Sequence, residues 1–64
     1  MNRIKEVLLD QGKTEAWLAN QMGVSYVECT NWLNNKTQPT IPQLYQIADL
    51  LSVDVRELLV RRKP

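Results

Sequence analysis

The sequence predicts an all-α fold, a compact bundle of five helices in one domain. Apolar residues recur at three- and four-residue steps, as on the buried face of a helix, and no segment alternates as a strand does. The two glycines of the sequence, Gly12 and Gly23, separate such segments. Residue pairs with the capping-box pattern mark the starts of the later helices. Together these signals favour short helices joined by short turns.

The first two helices are predicted over residues 2–11 and 14–22. The first carries an apolar stripe of Ile4, Val7 and Leu8. Gly12 can take the left-handed conformation that ends a helix. The second helix is too short to be stable alone in water, so packing must hold it.

The last three helices are predicted over residues 25–34, 41–51 and 54–61. Their capping pairs are Ser25 with Glu28, Thr40 with Gln43, and Asp54 with Glu57. The fourth helix has helically spaced apolar residues at Ile41, Leu44, Ile47, Ala48 and Leu51, and Val55, Leu58 and Leu59 follow. We therefore expect a domain over residues 1–60 and a basic tail over residues 61–64.

Length and composition limit the possible functions. The chain has 64 residues, a formal net charge of +1, one cysteine and no histidine. These counts exclude an intramolecular disulfide and a structural zinc site and argue against an enzyme, so we expect no catalytic residues, metal or cofactor. No run reaches the roughly 18 apolar residues of a membrane span, and the first residues do not read as a signal peptide. We expect a cytoplasmic protein that does not contact a membrane.

Residues 15–34 carry the functional signal. Two helices that cross steeply over a short turn need a small residue where their backbones approach, and Ala19 is small. The turn needs a residue that tolerates positive φ, and Gly23 lies there. The side chains predicted to point inward and fix the angle are Leu18, Met22, Val24, Cys29 and Trp32.

At these residues the sequence resembles the phage-repressor type of helix-turn-helix DNA-binding domain, also called lambda-repressor-like or Cro-type. The resemblance covers about residues 3–60. It includes Gly12 followed by Lys13-Thr14-Glu15, the block from Leu18 to Ser25, the Trp32 anchor and the segment from Leu44 to Val53. The helix-turn-helix then corresponds to the second and third predicted helices.

The resemblance implies that the helix over residues 25–34 lies in the major groove of DNA while the preceding helix crosses the backbone. Side chains pointing away from the anchors are then free to contact bases: Tyr26, Val27, Thr30 and Asn31. The implied phosphate contacts lie before the second helix and after the third, at Lys13, Thr14, Asn35, Lys36, Thr37 and Gln38. An Asn amide suits the major-groove edge of adenine, and a valine suits the methyl group of thymine.

The sequence departs from the family pattern at several positions. Residues 25–35 contain no Lys or Arg, and Glu15 stands where many relatives carry a Gln that contacts the DNA backbone. We expect Glu28 to return a hydrogen bond to Ser25 as a capping box. Leu8 and Leu33 stand where relatives have an Arg–Glu pair, and we predict that these leucines touch.

The functional prediction is a sequence-specific regulator of transcription, a repressor, that binds double-stranded DNA. Specific affinity from so small a module usually needs two copies on adjacent half-sites, which favours a homodimer. The candidate dimer surface is apolar and C-terminal: Val55, Leu59 and Val60. The alternative is a protein–protein interaction module on the same fold, using exposed residues such as Trp17, Val27 or Leu9. Trp17 itself fits packing against the first helix, or contact with the DNA backbone or a partner, equally well.

Overall fold

The computed structural model describes residues 1–60, which contain four α-helices and one 3₁₀ turn joined by short connections. In order they are α1 (Ile4–Asp10), α2 (Glu15–Met22), α3 (Tyr26–Leu33), α4 (Ile41–Leu51) and the 3₁₀ turn (Val55–Leu58). The all-α prediction is confirmed. None of the helices in residues 1–60 has the length and apolar character that crossing a bilayer requires. The tail predicted over residues 61–64 lies outside the described residues.

Side-chain caps start most of the elements where the sequence predicts. The hydroxyl of Thr14 accepts a hydrogen bond from a first-turn backbone N–H of α2, and Ser25 does the same for α3. Complete capping boxes form at the pairs Thr40–Gln43 and Asp54–Glu57. These bonds satisfy N–H groups that have no partner inside the helix.

The capping box predicted at Ser25 and Glu28 is only half formed. The Glu28 N–H donates to Ser25 Oγ at 3.0 Å. Within residues 1–60 the Glu28 side chain returns no bond to the Ser25 backbone, unlike the pairs that cap α4 and the 3₁₀ turn. The prediction of a reciprocal cap was therefore wrong, and the Glu28 carboxylate extends from the surface of α3.

The start of the predicted first helix was wrong by two residues, because Asn2 has another role. It lies before α1 and is the one buried polar residue among residues 1–60. Its Nδ2 donates to the Trp32 carbonyl oxygen at 2.9 Å and to Gln38 Oε1 at 2.8 Å. Its Oδ1 accepts from the Ile4 N–H at 3.1 Å. Asn2 thus ties the beginning of the chain to the end of α3.

The helix predicted over residues 54–61 is a single 3₁₀ turn. The Arg3 N–H donates to the Leu58 carbonyl oxygen at 2.7 Å, and Asn2 and Leu59 form an isolated antiparallel bridge. Leu59 is extended (φ −109°, ψ 146°), so the helix ends at Leu58, whose side chain is fully buried. Backbone pairing with the N-terminal residues takes the place of a last helical turn.

The core gathers one face of every element. Trp32 and Cys29 are buried, as predicted for the anchors of α3. Leu8 and Leu33 are buried in the same core cluster. Their burial is compatible with the contact predicted between them. The largest fully buried side chains are Trp32, Ile4, Leu8, Leu18, Ile47, Leu51, Leu58 and Cys29. α3 is therefore fixed by its inner face, and its outer face is left to solvent.

Candidate nucleic-acid interface

A tight turn joins α2 to α3 and sets the direction of α3. Gly23 ends α2 in the left-handed conformation, with φ of 68°. The Val24 N–H donates to the Ala19 carbonyl oxygen at 3.1 Å, closing the turn. A Cβ at Gly23 would meet no atom within 4 Å, so the backbone conformation and not the available space favours glycine. Ala19, buried in the middle of α2, keeps the side chain small at the crossing.

The outer face of α3 presents two large exposed side chains. Tyr26 is 56% exposed and Val27 is 68% exposed. Both lie in the first turn of α3. Val27 lies opposite the buried anchors Cys29 and Trp32, and Tyr26 lies at the side of the helix, between Cys29 and Val27. Burial of an isopropyl group is favourable, so a valine this open to solvent is suited to covering by a partner.

Thr30, a predicted base-contacting residue, is half-buried and engaged with α2. Its hydroxyl donates to Glu15 Oε2 at 3.3 Å. The backbone of Glu15 also accepts a hydrogen bond from Cys29, whose Sγ lies 3.6 Å from the Glu15 carbonyl oxygen. Burial, with the nearby Glu15 charge, raises the pKa of Cys29. Glu15 therefore joins α2 to α3 from the inside of the motif.

Asn31 lies one turn beyond Val27 and lines a shallow groove. The groove runs between α3, the following loop and the start of α4, and its lining includes Val27, Glu28, Asn31, Thr37, Gln38 and Thr40. The Asn31 carbonyl oxygen accepts from the N–H groups of Lys36 at 2.9 Å and Thr37 at 3.3 Å. Within residues 1–60 its side-chain amide has no hydrogen-bond partner. The Asn31 carbonyl oxygen thus holds the loop close to the Asn31 side-chain amide.

The loop after α3 divides the predicted phosphate-contacting residues into two kinds. Asn35 Oδ1 accepts from the Asn2 N–H at 2.8 Å and from Gln38 Nε2 at 3.2 Å, and Asn35 Nδ2 donates to the Asn2 carbonyl oxygen at 3.2 Å. We call this network of Asn2, Asn35, Gln38 and the Trp32 carbonyl the Asn2 clamp. Lys36 and Thr37 are exposed, and their side chains bond to no other group in the described residues. Asn35 and Gln38 shape the loop, and Lys36 and Thr37 extend from it.

Asn2, which holds this loop in place, is a functional residue that the sequence did not predict. Its signal is weak, since a single polar residue before the first apolar stripe normally lies at the surface. The positive φ of Asn35, 59°, is a second unpredicted feature. Asn tolerates this conformation better than most residues, which explains its presence at the turn.

The amino end of α2 is the other predicted phosphate-contacting region. Thr14 Oγ1 accepts from the Trp17 N–H at 3.0 Å, so Thr14 is the amino-terminal cap of α2. Lys13 Nζ lies 4.6 Å from the centroid of the Trp17 ring, a cation–π contact. Trp17 is half-buried and packs against the core, so its partial exposure leaves room for this contact. Two positive features, an ammonium group and a helix amino end, therefore lie side by side.

The charges near α3 are few and mixed. Lys13 precedes α2 and Lys36 follows α3, with no Lys or Arg between them in the sequence. The carboxylate of Glu28 lies on α3. Among residues 1–60, no group of His, Cys, Asp or Glu side chains is arranged to hold a metal ion. The arrangement offers polar, apolar and a few positive groups to one surface.

A helix, a tight glycine turn and a second helix with an anchored inner face and an open outer face define the helix-turn-helix class. Comparison with known families agrees with the geometry. The profile of the helix-turn-helix family matches residues 4–58. The chain belongs to this family, in its phage-repressor, lambda-repressor-like form.

One solved structure is close in both sequence and fold. It is the crystal structure of a protein from Bacteroides fragilis, described as "a putative DNA-binding protein". The two chains are 46% identical, with a TM-score of 0.89 over 91% of this chain and 94% of the other. No curated protein matches the sequence.

Proposed function

We propose that this protein is a cytoplasmic, sequence-specific regulator of transcription, a repressor that binds double-stranded DNA with α3 in the major groove. The observation that carries the proposal is the division of α3 into two faces. Cys29 and Trp32 anchor the inner face, and Tyr26 and Val27 stand open on the outer one. This is the geometry by which a helix-turn-helix presents its second helix to base edges.

Base contacts are assigned to four side chains of α3. Tyr26 and Val27 are exposed and Asn31 is half-buried, and within residues 1–60 the side chains of Tyr26 and Asn31 form no hydrogen bond. Thr30 is a less accessible fourth candidate, because its hydroxyl already bonds to Glu15. Their side chains offer one amide, two hydroxyls and apolar surface, all of which suit major-groove edges.

Phosphate contacts are assigned to the two ends of the motif. Lys13, Thr14 and the free N–H groups at the start of α2 form one region. The second region is the loop after α3, where Lys36 and Thr37 supply side-chain donors and the clamped residues Asn35 and Gln38 keep the loop in place. Such contacts fix the position of the protein on DNA and do not read sequence.

A homodimer on two half-sites completes the proposal. Leu59 is 42% exposed and Val60 is 48% exposed, so both can contribute apolar surface to a second copy. Val55, the third predicted dimer residue, is half-buried and packs against the core. The surface would therefore be the extended segment after the 3₁₀ turn and not a helix.

Titration with labelled duplex DNA at two salt concentrations tests the proposal. Binding is expected at low salt and should weaken steeply as salt rises, because phosphate contacts release counterions. Lys36→Ala should weaken binding to all sequences and lower the slope of log K against log salt by about 1. Lys5→Ala, which removes an exposed charge from α1, is the matched control and should leave the slope unchanged. Failure to bind any duplex at low salt would refute the proposal.

A protein–protein interaction module is the second candidate. The low net charge of +1 and the exposed apolar side chains away from α3 favour it. These side chains include Leu9 at 68%, Ile41 at 67% and Tyr45 at 57% exposed. Under this alternative, no duplex binds at low salt, and substitution of Ile41 and Tyr45 changes association while Asn31→Ala does not.

A further inference from the structure

The outer face of α3 has a composition that narrows the class of DNA sequence it can read. Residues 14–35 contain no Lys or Arg, so α3 carries no cationic side chain. The commonest specific contact with guanine is a bidentate bond from Arg or Lys to its O6 and N7. That contact is absent from the helix. Glu28, the charged residue of α3, has an acceptor-only carboxylate that cannot bond to either guanine atom, although it can accept a hydrogen bond from cytosine N4.

The side chains that α3 does present suit adenine and thymine. Val27, 68% exposed, has no polar group beyond its backbone, and the thymine methyl is the apolar group of the major groove. Asn31 has a free amide, which can bond in bidentate fashion to adenine N6 and N7. Tyr26, 56% exposed, adds a ring beside Val27 that can also cover a methyl group.

The spacing of Val27 and Asn31 places the two contacts close together on DNA. The residues are four apart in one helix, so they lie on the same face with Cβ atoms roughly 6 Å apart. Bases on one strand are spaced about 3.4 Å apart along the axis. The two side chains can therefore contact base pairs that are about one to two steps apart.

We infer that each half-site is read at A·T pairs, with a thymine methyl against Val27 and, one or two base pairs away, an adenine against Asn31. This inference rests on the proposed function. Lys36 lies in the loop beyond α3 and contributes charge to the phosphates, so it adds no guanine reader on the helix. Recognition then depends on one methyl contact and one amide contact in each half-site.

Selection of bound duplexes from a random pool, followed by single-atom changes in the selected site, tests the inference. The selected half-site should contain A·T pairs with this spacing. Replacing the contacted thymine by uracil removes only the methyl group and should weaken binding about three- to four-fold, the effect of one buried methyl. Replacing the contacted adenine by 7-deazaadenine removes the N7 acceptor of the Asn31 contact. This change should also weaken binding relative to the unmodified duplex. Neither change alters the protein, so neither can unfold it.

Variants connect each base atom to its side chain. Val27→Ala should abolish the uracil effect, and Asn31→Ala should lower affinity about five- to 150-fold and abolish the 7-deazaadenine effect. Leu9→Ala is the matched control, because Leu9 is also 68% exposed but lies on α1. It should leave both base effects intact.

The outcomes distinguish failure of the A·T inference from failure of the proposed DNA-binding function. A guanine-rich selected site, or uracil and 7-deazaadenine effects that persist in the two variants, would overturn the inference and leave DNA binding in place. No enrichment of any duplex at low salt would overturn the proposed function itself. An A·T half-site whose two effects disappear in the matching variants supports both.

Discussion

Removing the Asn2 side chain should destabilise the fold far more than its position near the chain start suggests. The side chain makes three hydrogen bonds, two donated to Trp32 O and Gln38 Oε1 and one accepted from the Ile4 N–H. At a net 0.5–1.5 kcal/mol each, Asn2→Ala should cost about 1.5–4.5 kcal/mol. A domain of this size has only about 3–5 kcal/mol from its core, so much of the folded population would be lost.

Asn2→Asp tests the hydrogen bonds specifically, because it keeps the shape of the side chain and changes its hydrogen-bonding groups. The atom in place of Nδ2 would be an oxygen facing two acceptors, Trp32 O and Gln38 Oε1. The buried carboxylate would also lose its hydration, so this variant should be less stable than Asn2→Ala at pH 7. Its folded-state pKa would be raised, so its stability relative to the alanine variant should recover as pH falls from that raised pKa toward the unfolded value of about 3.9, and should change little below it.

Urea unfolding followed by circular dichroism measures both effects. Gln46→Ala, an exposed amide on α4, is the control and should change the free energy of unfolding by less than about 0.5 kcal/mol. The m-values should agree among variants, since the same surface is exposed on unfolding. An Asn2→Ala variant within about 0.5 kcal/mol of the parent would refute the argument. So would an Asn2→Asp variant that is the more stable of the two at pH 7.

Three further predictions follow from other parts of the structure. Gly23→Ala should lower the free energy of unfolding by about 1–2 kcal/mol in a urea titration, because only the positive φ and no steric clash opposes it; no loss would contradict this account. Glu28→Gln should tighten binding to all duplexes about two- to five-fold by removing a charge that repels phosphates, whereas Asp10→Asn on α1 should not. The thiol of Cys29, buried and with a raised pKa, should react with a disulfide reagent only as fast as the chain unfolds. Stability should fall above pH about 8.5, where an unfolded cysteine ionises before the folded one; rapid native-state labelling would contradict both expectations.

Local signals explain why the middle of the fold was predictable. The starts of α2, α3 and α4 are set by hydroxyl side chains that bond to their own first turn. The end of α2 is set by one glycine with a positive φ. Each of these features depends on residues within one helical turn, so a single sequence records them.

The two ends of the domain were not predictable, because they depend on each other. Arg3 and Leu58 are joined by a backbone hydrogen bond, and Asn2 pairs with Leu59. Neither segment contains a periodic pattern that signals the pairing. The apolar spacing of the last residues fits a helix equally well, and the long-range bond decides against it.

The candidate site shows the same division. The exposure of Tyr26 and Val27 and the burial of Trp32 follow from spacing around the turn. Two other features depend on residues far apart in sequence. They are the hydrogen bond from the Thr30 hydroxyl to Glu15 and the hydrogen bond from the Asn2 N–H to the Asn35 side chain. Sequence reasoning therefore identified the exposed face of α3 but could not tell which polar groups on it are free.

The two tryptophans differ in exposure, so each can serve as a separate fluorescence probe. Trp32 is enclosed in the core, so its emission should shift when the chain unfolds. Trp17 is partly open to solvent beside the amino end of α2, so iodide should quench it in the native state. Since the proposed phosphate-contacting region lies against that ring, loss of quenching on adding duplex would report docking without any attached dye.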